Sequence, residues 1–285
     1  MDLFYLLIIL FSCVQSACTK FYNRYSSDVL VFNKLKSFSA LVVFALILIG
    51  GCTFNLTTVV YGIFYGIFSS ISMHAGCAAL CMGPMSLTSL IVSFSLIVPS
   101  TYGIIFRNER VTLVKAVGLV LLFAALVLAS VKFGKKNPSD SIKNRGKWLA
   151  LVFATFFSNG IFAIIQKEHQ RIFPGRYTKE FTFVAMVVCA VVFLVPKIKA
   201  IAPSNLKMIG GKRYALLSGV LNGLAGFFTL SLAGRENASV LYPVISAGTI
   251  IASVVFGKFV FKEKQSPTRL IAFALGVCAV VLLKL

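Results

Sequence analysis

The chain is short of charge, and shorter still of acid. Only 13% of its 285 residues are charged, and 8 are Asp or Glu against 28 Lys or Arg. A soluble domain carries about a quarter charged residues and is about half apolar, whereas here the apolar share is 58%. That composition excludes a single soluble core. It supplies instead roughly ten stretches near the ~20 apolar residues that one bilayer crossing needs. The acids are Asp2, Asp28, Glu109, Asp140, Glu168, Glu180, Glu236 and Glu263. Each falls in a predicted loop or at a predicted helix end, and none at mid-membrane. Proton-driven export of organic cations needs a buried carboxylate that drug or proton can occupy in turn. Its absence argues against cation/proton antiport and leaves neutral, zwitterionic or anionic solutes.

Other absences exclude other classes. The two histidines, His74 and His169, are far apart. No paired carboxylates share an apolar pocket, and no strand leads into a glycine-rich phosphate loop, so the chain does not read as an enzyme and implies no cofactor. The seven cysteines fall almost entirely inside apolar segments. Cys77 and Cys81 stand at i,i+4, but no His or carboxylate joins them. They read as small buried thiols rather than a zinc site, and no disulfide framework is implied. The net charge of +20 is spread one to three residues at a time through the connections, with one denser run at 132–147. That is the pattern of cytoplasmic loops and headgroup anchors, not of nucleic-acid binding. "MDLFYLLIILFSCVQSACTK" carries Asp2 and no basic n-region, so it reads as a first transmembrane helix rather than a signal peptide.

What is present is a succession of apolar helices. Ten are predicted, near 3–21, 29–49, 58–80, 84–106, 111–131, 147–166, 180–196, 213–233, 238–260 and 268–284. "GGC" (50–52), "MGP" (82–84) and "GREN" (234–237) punctuate them. "KKNPSDSIKNRGK" (135–147) is the one long polar loop, and Trp148 after it suits a headgroup-level anchor. The division is 1–134 for a first five-helix repeat, 135–146 for the connecting loop and 147–285 for a second repeat. A shift of 154 residues without gaps lays the third to fifth helices on the eighth to tenth. Gly103 then meets Gly257, Glu109 meets Glu263, Leu87 meets Leu241, Ile91 meets Ile245 and Ile97 meets Ile251. Five is odd, so the second copy must sit inverted in the membrane. Inverted repeats with a site at their interface are a transporter architecture. The fold class is therefore an all-α membrane protein, ten transmembrane helices as two inverted five-helix repeats.

The two-by-five layout resembles the drug/metabolite transporter superfamily, and its EamA-like ten-helix members in particular. So do the turns "FRNERVTLVKAVGL" and "FKEKQSPTRLIAFALG", and the fourth-helix stretch "GPMSLTSLIVSFSLIVPSTYGIIFRNE". The resemblance implies that helices one to four and six to nine surround a central cavity, with five and ten peripheral. It also implies that both termini lie inside. The charge count points the other way: 19 Lys and Arg lie on the side of the odd-numbered loops against 9 on the other, which places the termini outside. In the small multidrug transporters of that superfamily a Glu in the first helix exchanges the proton. Here the middle of that helix holds Gln15, which can hydrogen-bond a solute but cannot exchange a proton.

Polar residues recur at helical spacing. The first helix gives Ser12, Gln15, Ser16 and Thr19; the third Tyr61, Tyr65, Ser69 and Ser72; the fourth Ser86, Ser89 and Ser93. The sixth gives Thr155, Ser158 and Asn159; the eighth Ser218 and Asn222; the ninth Tyr242, Ser246, Thr249 and Ser253. Single Ser and Thr residues are explained by helix packing alone. A mid-membrane amide is different, because it needs a partner or a wet cavity. Glu109 and Glu263 read as capping and turn chemistry. His74 serves either a neighbouring helix or a proton relay. Lys34 and Lys36 lie about 9 and 12 Å into the second helix. Two residues apart, they face nearly opposite sides, so at most one lines a cavity; the favoured reading makes both snorkelling anchors. A cavity lysine would favour a carboxylate or phosphate on the solute. The candidate solute-binding set is Gln15, Lys34, Tyr61, Tyr65, Ser69, His74, Asn159, Asn222, Tyr242 and Ser246. The implied partners are a small-molecule solute, the lipid bilayer and, compatibly, a second copy in a homodimer. The implied place is the cell membrane, crossed many times. The expected function is secondary transport, by export or exchange, of small neutral, zwitterionic or anionic organic metabolites through alternating access. The alternatives are broad drug efflux and a non-transporting membrane scaffold. Transport requires the amide and Tyr stripes to meet in one polar cavity; a scaffold spends them on bonds between helices.

Overall fold

A computed structural model of the chain describes residues 3–26, 28–49, 51–82, 97–107, 112–130, 144–194 and 206–260, together with 88, 92, 95, 271, 274, 275, 278, 279 and 282. The described residues are all-α, without strands. The helices are α1 (Leu3–Tyr22), α2 (Val29–Leu48), α3 (Leu56–Met82), α4 (Ile97–Arg107), α5 (Leu113–Ser130), α6 (Arg145–Ile172), α7 (Thr178–Leu194), α8 (Leu206–Ala233) and α9 (Ala238–Val260). The expected tenth helix falls almost entirely outside the described residues, as does most of the expected fourth before Ile97 and the loop 135–146.

The helix ends follow local chemistry. Asp28 caps α2 by accepting from the backbone N–H groups of Leu30 and Val31 at 3.0 and 3.1 Å. Asn144 does the same for α6 through Lys147 N–H at 3.2 Å. Two boundaries differ from expectation. α6 continues six residues past 166 through "KEHQRI", because the last turns of that helix bond to its neighbours instead of to water. α8 begins at Leu206 rather than 213; Gly210 and Gly211 do not break it, and the ring of Tyr25 lies over both.

Five of the helices are long and apolar enough to cross a membrane: Leu3–Tyr22, Val29–Leu48, Leu56–Leu80, Arg145–Ile172 and Gly210–Ala233. Their outward faces expose large apolar residues such as Leu46, Leu56, Phe64 and Phe157. A soluble monomer rarely exposes so much contiguous apolar surface. Inside, α1 packs on α8 and α9, α2 on α7 and α8, α3 on α6 and α7, and α4 on α9 and α6. Glycine pairs at i,i+4 lie at two close crossings. Gly62 and Gly66 of α3 lie against Val184 and Val188 of α7, where an added Cβ would stand 2.9 and 2.6 Å from them. Gly219 and Gly223 of α8 lie against α2 in the same way, and at Gly219 the added Cβ would stand 1.9 Å from the Lys36 carbonyl oxygen. Small residues four apart allow apolar helices to approach backbone to backbone.

The helices define two ends. The near end holds the α1–α2 turn (23–28) and the start of α6. There Trp148 is 2% exposed, packs with Ala79 and Val152, and donates from Nε1 to the Thr88 hydroxyl at 3.0 Å. This corrects the expectation of a headgroup anchor: the indole is inside the helix packing, and its one N–H is satisfied there. The far end holds residues 49–55, the α6–α7 turn and the α8–α9 turn.

Candidate functional site

Between α1, α2, α3, α6, α8 and α9 lies one cavity of about 410 Å³, within the usual range for small-molecule sites. The first-helix stripe lines it entire, with Ser12, Gln15, Ser16 and Thr19. Tyr65, Ser69 and Ser72 come from α3, Thr155, Asn159 and Gln166 from α6, Asn222 from α8, Tyr242 from α9, and Asn33 and Lys36 from α2. The lining reaches to Thr19 and Leu80, within about 5 Å of the near-end helix termini at 1.5 Å per residue. Toward the far end it reaches Gln166, about 9 Å short of the end of α6, and Thr229 and Tyr242, each about 6 Å from a far-end helix terminus.

Of the candidate set, the cavity brings together Gln15, Tyr65, Ser69, Asn159, Asn222 and Tyr242. Four others lie elsewhere. Lys34 is half-buried outside the lining, and Lys36 takes the cavity position: successive residues turn 100°, so the two lysines stand about 200° apart. Tyr61 packs with the buried Tyr65 and Phe181 on the α3–α7 side and faces the His169 ring at 6.0 Å. His74 is exposed, its ring 6.3 Å from Phe193, while Ser70 and Cys77, one turn to either side of it, are buried. That position removes it from any proton path through the cavity. Ser246 is buried in helix packing and does not reach the cavity. Ser86, Ser89 and Ser93 lie outside the described residues. The polar lining also includes Asn33, Lys36, Gln166 and Thr229, which belong neither to the candidate set nor to the polar stripes read from the sequence.

The polar groups divide into spent and unspent. Tyr242 donates its hydroxyl to Ala163 O at 2.7 Å, Gln166 donates Nε2 to Gly226 O at 3.1 Å, and Ser72 donates to Asn159 Oδ1. Thr155 and Thr229 return their hydroxyls to carbonyls four residues earlier, at 2.8 and 2.7 Å. Gln15, Asn222 and the Lys36 ammonium have no side-chain hydrogen-bond partner among the described residues. Asn33 Oδ1 is buried and unpartnered as well. Asn33 and Lys36 are buried, while the Gln15 and Asn222 amides are half-buried and open to the cavity, where water or a ligand completes their bonding. Among the described residues no group of His, Cys, Asp and Glu could hold a metal ion.

Past the cavity, the far end is crossed by bonds centred on the last turns of α6. Arg107 of α4 pairs with Glu168, which also accepts from Arg171 at 3.0 Å. Lys167 donates to Ala233 O at 3.0 Å and to Glu236 O. Thr58 of α3 and His169 share a hydrogen bond of 3.1 Å, and Gln170 bonds the turn through Gly175 N and Arg176 O. Lys179 and Glu180 of α7 hold residues 51 and 53, at 2.7 and 3.2 Å.

No family model and no curated protein matches the chain. It is similar to a solved structure described only as the crystal structure of a protein, at 17% identity and a TM-score of 0.69, over 98% of this chain and 94% of that one. At that identity the likeness is one of fold.

Proposed function

We propose that the chain is a multi-pass secondary transporter of small neutral, zwitterionic or anionic organic solutes. In this reading ten helices form two inverted five-helix repeats that rock about the central cavity. The observation that carries the proposal is the convergence of Gln15, Asn159, Asn222 and Tyr242, from four helices, on one cavity in which the Gln15 and Asn222 amides remain unspent. The repeat is supported by the packing, whose main helix contacts are kept when α1–α4 are exchanged with α6–α9. α1 on α8 answers to α6 on α3, α2 on α8 to α7 on α3, and α1 on α9 to α6 on α4. The paired glycines obey the same exchange, Gly62 and Gly66 against α7 and Gly219 and Gly223 against α2. The bonds that cross the far end support a reading in which that side is the closed one.

Gln15→Leu and Asn222→Leu are each expected to weaken solute binding by about 2- to 10-fold, the worth of one net hydrogen bond. Neither should lower the melting temperature, since neither amide bonds the protein. Counterflow across proteoliposomes holding the full chain, with a panel of neutral, zwitterionic and anionic solutes and with or without a pH gradient, tests both the function and the variants. Strong proton-driven export of an organic cation would overturn the reading. The scaffold alternative has its own support in the Tyr242–Ala163 and Ser72–Asn159 bonds, which join helices. It requires no counterflow of any solute.

A further inference from the structure

We infer that the cavity takes a solute bearing a single carboxylate, held by the Lys36 ammonium; this rests on the transport reading and narrows its substrate class. Lys36 is only 6% exposed, lines the cavity and has no hydrogen-bond or ion-pair partner among the described residues. The described titratable groups near enough to act on it are the thiols of Cys77 and Cys189, with no carboxylate. The described acids are occupied elsewhere. Asp28 caps α2, Glu168 pairs with Arg107 and Arg171, Glu180 accepts from Thr53 N–H, and Glu236 lies in the α8–α9 turn. A buried ammonium without a counter-ion is costly, and the cost falls when an anion enters beside it.

The surroundings narrow the anion. Lys36 and Gln15 each stand seven residues from a near-end helix terminus, so both lie about 10 Å deep. The unbonded Gln15 amide lines the same cavity at the same depth and is the donor offered to the second carboxylate oxygen in this proposal. One lysine balances one negative charge. A phosphate monoester, which carries close to two, would leave a charge uncompensated in a cavity with no second described cation. Farther from the near end, Tyr65 and Phe162 offer an apolar lining for the organic body of the solute. An organic cation would meet Lys36 with like charge.

The test uses the full chain, titrated with phenylacetate, hexanoate and pyruvate, and with phenylacetamide, phenethylamine and phenyl phosphate as controls. At least one monocarboxylate should bind, with the amide at least tenfold weaker and the amine not binding. Lys36→Gln should cost the carboxylate at least tenfold, Lys36→Arg should restore most of it, and Lys34→Gln should change nothing. The wild-type series stands alone if Lys36→Gln does not fold. Equal binding of phenylacetate and phenylacetamide, preference for phenyl phosphate, or indifference to Lys36→Gln overturns the carboxylate assignment. If neutral solutes nevertheless show counterflow, the transport reading survives that result. Absence of counterflow for every solute overturns both.

Discussion

Gly219→Ala is expected to remove most of the folded protein from the membrane fraction, although alanine is the better helix former by about 1 kcal/mol. The new Cβ would stand 1.9 Å from the Lys36 carbonyl oxygen and 2.0 Å from Ser39 Oγ. Both atoms are fixed. The carbonyl belongs to the α2 backbone, and the hydroxyl is tied to Lys36 O at 3.1 Å and to Leu216 O across the helix contact at 2.8 Å. A flexible side chain could swing away, but here α2 itself must retreat by more than an ångström. Overpacking a core costs about 1–3 kcal/mol, and more where backbone must move. Against a marginal stability of about 5–15 kcal/mol, the net loss is a large fraction of the whole. Gly66→Ala should be milder, because Val188 is a side chain and the facing Ala185 O stands 2.9 Å away. Gly226→Ala serves as the control: the nearest atom is Tyr65 Oη at 3.8 Å, ordinary contact, so folding should be untouched. Fluorescence-detected size-exclusion yield and thermal melts of the three variants give the ranking. Equal yields for Gly219→Ala and Gly226→Ala would show that α2 and α8 are not held at this distance. Because Lys36 sits on the same turn, any Gly219→Ala protein that does survive should also bind solute more weakly.

The glycine pairs were legible as G-x-x-x-G at 62–66 and 219–223. They stand 157 residues apart, three off the 154-residue shift that aligns the later helices. A gap-free comparison therefore hides them by nearly one helical turn. The apolar runs placed α1 to α3 and α9 closely, since bilayer length and helix breakers act locally. The cavity was legible in part for the same reason: Ser12, Gln15, Ser16 and Thr19 share a face by periodicity alone. Which face looks inward was not. His74 lies one turn from Ser70 and Cys77, yet the small rotation between i and i+4 steps carries it outward. Lys34 against Lys36 turned on the same missing angle, which only the contact of α2 with α8 supplies. The end of α6 was misjudged because Lys167, Glu168, His169 and Gln170 look like loop residues until their partners on α3, α4 and the α8–α9 turn are known. Those partners are distant in sequence, and no local pattern announces them.

Those same residues bear the second large effect. Glu168→Gln is expected to open the far end and raise access to the cavity from that side by about 2- to 5-fold. Glu168 is the only described acid on the surface where α4 meets α6, and it holds Arg107 across that contact and Arg171 on its own helix. Replacing it with an amide leaves two cations facing a neutral group. Arg107 remains about one-third exposed, so water recovers part of the loss, and the pair is worth less than a fully buried one. The net change is that of a solvent-screened ion-pair cluster, a few-fold in a two-state equilibrium. Ala163 is 1% exposed, lines the cavity and accepts the Tyr242 hydroxyl through its carbonyl, so a cysteine there reports access without removing that bond. Its maleimide labelling rate in oriented vesicles should rise in Glu168→Gln. Arg107→Gln should act in the same direction, and the double variant should add little to either, because both break one contact. The exchange Arg107→Glu with Glu168→Arg should return part of the closure. Labelling unchanged in Glu168→Gln, or fully additive single effects, would reduce the pair to a solvated ion pair and shift the closing role to the Lys167, Thr58 and Gln170 bonds beside it.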